Sequence, residues 1–108
     1  MPETVDINQE ILVSLDLEAT GLNTDSDLII QVGAVKFQGD SVIETFDQLV
    51  NPSRLLPTFI TQLTGITQSD VDQAIPWPEV AAPLKDFIGD HPIVGHNIAF
   101  DLKMLAKS

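Results

Sequence analysis

The sequence predicts an α/β domain, a mixed sheet with helices packed on it. Three observations carry this. Apolar runs rich in Val and Ile occupy residues 11–18, 28–37 and 41–50, joined by short polar connections, the pattern of an antiparallel meander. Apolar residues then recur at helical spacing near residues 76–88 and again from Ile98 to about Lys107. Between those two segments lies a short apolar stretch, Pro92-Ile93-Val94-Gly95, which makes a strand–helix unit with the last segment. With 108 residues the chain can build one core but not two. The expected layout is a polar leader over residues 1–10 and a single domain over residues 11–108.

Each element has a local reason. Residues 19–27 are rich in turn formers, and Gln38-Gly39-Asp40 is a short turn with Gly in it. Pro57 suits the start of a helix on which Phe59, Ile60 and Leu63 share a face. Gly65 stands where a left-handed C-terminal stop is wanted. Thr67 and Asp70 have the spacing of a capping box. In the next helix Val80, Leu84, Phe87 and Ile88 form the apolar stripe, Pro83 predicts a kink or a shortened helix, and Gly89-Asp90 ends it. Asn97 is a suitable N-cap for the last helix.

Composition narrows the chemistry. The chain has no cysteine, which excludes disulfides and thiolate metal sites. No apolar run approaches the roughly 20 residues needed to cross a bilayer, so a membrane partner is not expected and a cytoplasmic protein is the default. Net charge is -11, from 16 acids against five bases. That argues against non-specific binding to a nucleic-acid backbone. Any contact with phosphate would need a metal or backbone N–H groups.

Two acidic features stand out. Asp16 and Glu18 end the first strand and point the same way, while Ile11, Val13, Leu15 and Leu17 point the other. Spacing alone leaves two readings open: both acids reach water, or a cation neutralises them. Asp101 is the second feature. On a helical wheel of about 100° per residue, Ile98, Leu102, Leu105 and Ala106 form the inward arc, and Asp101 falls between Leu105 and Met104. Lys103 and Lys107 lie on the far side. A first-turn acid complementing the helix dipole is the ordinary explanation. A core-facing acid with no base beside it calls for a cation instead. Three carboxylates without a thiolate suit Mg²⁺ or Mn²⁺ rather than Zn²⁺.

Asp16-Leu17-Glu18-Ala19-Thr20-Gly21 resembles the first motif of the DnaQ-like, or DEDD, 3′–5′ exonucleases. His96-Asn97-Ile98-Ala99-Phe100-Asp101 resembles their second motif. Ile30-Gln31-Val32-Gly33-Ala34-Val35, Leu49-Val50-Asn51-Pro52 and Leu63-Thr64-Gly65-Ile66-Thr67 are further family-like stretches between them. The resemblance implies a ribonuclease H-like fold and two-metal hydrolysis at the 3′ end of DNA or RNA. By motif, Asp16 would bridge both ions, Glu18 would bind the nucleophile-side ion and Asp101 the other. The backbone through Ala19, Thr20 and Gly21 would hold the terminal nucleotide, with Leu22 and Phe100 against its base. His96 and Asn97 belong to the second motif and are read first as positioning groups. The implied partner is a single-stranded 3′ end, in the setting of a polymerase or a fused helicase.

Some positions depart from the family pattern. Ala19 stands where many members have Thr, and Gln31 where many have Glu. The family's third motif, with its general base and last Asp, finds no match before Ser108. The sequence therefore reads as the front portion of such a domain, with impaired activity expected. The alternative is a non-catalytic fragment of a larger replication or repair polypeptide that binds metal or a partner. A third reading is an acidic α/β domain whose acids meet by coincidence.

Overall fold

The computed structural model describes residues 10–108, so the expected leader lies, but for Glu10, outside the described residues. Strands β1 (Ile11–Ala19), β2 (Ile29–Gln38) and β3 (Ser41–Asn51) form the expected meander. Helices α1 (Thr58–Thr64) and α2 (Gln68–Asp72) follow, then β4 (Ile75–Pro76), α3 (Trp77–Ile88), β5 (Ile93–Val94) and α4 (Ile98–Lys107). The sheet order is β4-β3-β2-β1-β5. The three long strands pair antiparallel, and β5 joins β1 in parallel through Val13↔Ile93 and Ser14↔Val94. This is the mixed α/β sheet that the sequence predicts.

Register sorts the side chains by face. Leu15, Ala34 and Phe46 lie in one row across the meander, and Asp16, Gly33 and Asp47 in the next. Successive rows face opposite ways. The first face carries the main core: Val13, Leu15 and Leu17 of β1 meet Val80, Leu84 and Phe87 of α3 and Met104 of α4. Phe46 and Phe87 stack at a tilt with ring centroids 5.6 Å apart. Burying such side chains contributes roughly 1.5–3 kcal/mol each. A second cluster, Ile30, Ile60, Ile66 and Val71, sits under α1 and α2.

The helix ends follow their local signals. Gly65 stops α1 at φ 79°, a left-handed conformation that glycine adopts at no steric cost. Thr67 and Asp70 form a reciprocal capping box at α2. The Thr67 N–H, donating to the Asp70 carboxylate at 2.9 Å, and then the Thr67 side chain hold that carboxyl below the usual carboxylate range.

The structure departs from these expectations at four places. α3 runs from Trp77 to Ile88 with Pro83 inside it, so of the two outcomes expected at Pro83 the shortened helix is not seen. Asn97 occupies the N-cap position of α4, but its side chain makes no capping hydrogen bond. α4 is also turned from the expected arc: Asp101 and Met104 are buried, whereas Leu102 and Ala106 are exposed. The helix lies along the open edge of β1, so the arc that reaches protein is centred on the acid. Finally, β4 is a two-residue pairing with Val50 and Asn51 that local pattern does not announce. Among the described residues no helix is long and apolar enough to cross a membrane.

Candidate active site

β1 places Asp16 and Glu18 on the sheet face opposite Leu15 and Leu17, as alternation requires. Asp16 is exposed and Glu18 half-buried. Among the described residues no strand lies beside the outer edge of β1 beyond Ser14, because β5 pairs only at Val13 and Ser14. The chain turns from β5 into α4 at Gly95, where a Cβ would stand 2.8 Å from the Leu15 carbonyl oxygen. That close pass sets the first turn of α4 against the strand edge.

Asp101 fills the edge. It is 4% exposed, and the Leu17 N–H on that edge faces its carboxylate. Burial, then the charges of Asp16 and Glu18, push its carboxyl up to about 6. Burial, followed by the charge of Asp16, raises Glu18 as well. The three acids that sequence singled out therefore share one electrostatic environment, although they come from opposite ends of the chain. The recorded ion pair, Lys36–Glu44 at 3.6 Å, lies elsewhere, beneath α3.

The donor chemistry fits a hard divalent cation, since the acids offer only carboxylate oxygens and lack a basic neighbour. Among the described residues no group of three or more Asp, Glu and His side chains converges into a ready ligand set. The carboxylates are thus close enough for two of them to raise the third, and more widely spread than the ligands of a formed ion site.

An apolar pocket of about 130 Å³ opens beside Glu18. Leu17, Ala19, Ile60 and Phe100 line it, and Leu22, Phe59 and Leu63 stand around it. Leu22 is 86% exposed, Leu63 77% and Phe59 57%. The sequence placed Phe59, Ile60 and Leu63 on one helical face, but only Ile60 of the three is buried. A helix of seven residues that buries one side chain leaves two large apolar groups beside the acids. The family-like stretch beginning at Leu63 signals one of them, and Phe59 lies outside it.

The other motif residues divide. Ala19 is buried at the pocket, and Gly21 lines it. Thr20 is 2% exposed and turned inward. Its N–H donates to the Leu28 carbonyl at 2.9 Å and its hydroxyl to Asp27 Oδ1 at 2.7 Å. His96 and Asn97 are exposed in the turn before α4, and the Asn97 carbonyl accepts the Asp101 N–H at 3.2 Å.

Known proteins resemble this chain in sequence and in fold. The exonuclease (RNase_T) family model matches residues 13–108. DNA polymerase III PolC-type of Latilactobacillus sakei is 43% identical over 86% of the chain, which spans 6% of that protein. The Bacillus subtilis PolC-type polymerase is 37% identical over 92% of the chain, spanning 7% of its length. The chain therefore covers a small fraction of the curated relatives it matches. Among solved structures, a zinc-bound complex of Escherichia coli exonuclease I with single-stranded DNA superposes with a TM-score of 0.78 at 22% identity, covering 90% of this chain and 23% of that one. A 3′-exonuclease recognising a histone mRNA stem-loop gives 0.67 at 25% identity, covering 84% of this chain and 37% of the other. The fold is thus ribonuclease H-like, as that of exonuclease I is. On the family match and the relatives together, this chain belongs to the exonuclease family that the RNase_T model describes.

Proposed function

We propose that this domain serves 3′–5′ exonucleolytic hydrolysis of DNA, with Asp16, Glu18 and Asp101 holding divalent cations of the Mg²⁺ or Mn²⁺ type. The observation that carries the reading is Asp101: a buried acid from the last helix, raised to about 6 partly by the two acids of the first strand. Burying carboxylates together is costly unless a cation offsets the charge. Bound ions would neutralise the phosphate and lower the pKa of an attacking water. The chain's own residues would do the rest. Leu22, Leu63, Phe59 and Phe100 would receive a nucleobase beside Glu18. Stacking on such groups is tolerant of sequence, which suits an enzyme that removes one nucleotide after another. His96 and Asn97 would help set the start of α4, and so Asp101.

DNA is favoured over RNA by the PolC-type polymerases among the relatives. The same relatives make a polymerase the favoured setting. The test incubates the chain with a labelled single-stranded oligodeoxynucleotide and Mn²⁺. Shortening from the 3′ end is expected, with a loss on the order of 10³-fold or more in Asp16→Ala, since the charge-stabilising ions depend on that side chain. Shortening that survives in Asp16→Ala overturns the reading. No shortening together with a Mn²⁺-dependent rise in thermal midpoint favours the non-catalytic, metal-binding alternative.

A further inference from the structure

The turn between β1 and β2 carries Leu22, yet that side chain is 86% exposed and leans on almost nothing. Its place beside Glu18 is set by backbone alone. One carboxylate holds that backbone. Asp27 accepts the Thr20 hydroxyl on Oδ1 at 2.7 Å and the Asn23 N–H on Oδ2 at 2.9 Å. The Thr20 hydroxyl in turn accepts the Leu28 N–H at 3.0 Å. Gly21 makes room for this: a Cβ there would lie 2.9 Å from the Asp27 Cγ. Two bases secure the main chain from outside. Arg54 donates to the Ser26 carbonyl at 2.8 Å, and Lys107 donates to the Asp27 carbonyl.

We infer that Asp27, through Thr20, is a positioning residue of the nucleotide pocket, fixing the turn that presents Leu22 to the terminal base. The inference rests on the function proposed above and deepens it. Its physical basis is pre-organisation: ordering backbone on binding costs affinity, and a turn already closed at both ends avoids that cost. Asp27 does not touch substrate. Its loss should weaken binding more than turnover.

The test measures 3′ shortening of a single-stranded oligodeoxynucleotide by the wild-type chain and by Asp27→Ala, Thr20→Val, Thr20→Ser and the Asp27→Ala/Thr20→Val double variant, each with its thermal midpoint. KM should rise roughly tenfold in Asp27→Ala and in Thr20→Val, with kcat changed far less. The double variant should fall well short of the two single effects combined, because the Thr20–Asp27 bond is common to both, while each variant also loses one bond of its own, from the Asn23 or the Leu28 N–H. Thr20→Ser keeps the hydroxyl and should recover most of the loss. Should Asp27→Ala fail to fold, Asp27→Asn carries the same test, with its volume kept and one acceptor lost. A merely structural role lowers the folded fraction, and so the apparent kcat, and leaves KM unmoved. An active wild type whose two single variants keep KM within twofold therefore overturns the inference alone. A wild type that neither shortens nor binds the oligonucleotide overturns the proposed function, and the inference with it.

Discussion

The two ends of the site handle polar groups in opposite ways. At the turn, Asp27 is offered donors on both carboxylate oxygens, and Thr20 uses its N–H and its hydroxyl fully. At the strand edge, Asp101 faces the Leu17 N–H and has two negative neighbours. The turn is satisfied and complete by itself. The edge stores repulsion in a buried place, which folding alone does not explain. The difference locates which part is scaffold and which part waits for charge from outside.

The contrast can be tested from both sides. The largest effect is expected at the edge. A carboxyl raised to about 6 in the folded chain, against its ordinary 3.8, favours folding while it is protonated. That contribution is complete below the unfolded value and is lost as pH rises through about 6. Ionised Asp101 then costs on the order of 3 kcal/mol at pH 8. Asp101→Asn should therefore raise the thermal midpoint at pH 8 without divalent ions, flatten the pH dependence between about 4 and 7, and abolish any gain from Mg²⁺. An equal loss of stability at pH 5 and pH 8 would show that the acid is an ordinary structural group.

At the turn the sign reverses. Gly21→Ala drives a methyl into the Asp27 carboxylate, which is held from the other side by Asn23. Overpacking of this kind costs roughly 1–3 kcal/mol, and the loss should be independent of divalent ions. Chemical denaturation with and without Mg²⁺ reads both quantities. The smallest effect belongs to a region remote from both. Thr67→Ala removes one half of the α2 capping box and should cost about 1 kcal/mol, with 3′ shortening unchanged.

How much of this was legible beforehand follows the same division. The strands, the Gly65 stop, the Thr67–Asp70 box and the pairing of Asp16 with Glu18 are written in short-range pattern, where periodicity and capping chemistry act. The rotation of α4 was not, because a helical wheel ranks apolar residues, while here a buried acid facing Leu17 turns inward with Met104. Phe59 and Leu63 looked like core because they share a helical face with Ile60. β4 depends on what lies beside it in space and leaves no local trace. Asp27 was hidden for another reason. It sits in a loop whose composition announces a turn, and its partner, Thr20, stands seven positions away with no periodic relation to it.

The Leu17 N–H that faces Asp101 has a use apart from catalysis. It ties a main-chain amide of the central sheet to the charge state of one carboxylate. The proton on that nitrogen is drawn more strongly to an ionised acceptor than to a neutral one. The Leu17 amide is therefore a built-in spectroscopic gauge, whose resonance follows Asp101 through its titration and through neutralisation by a cation, with no substrate or label required.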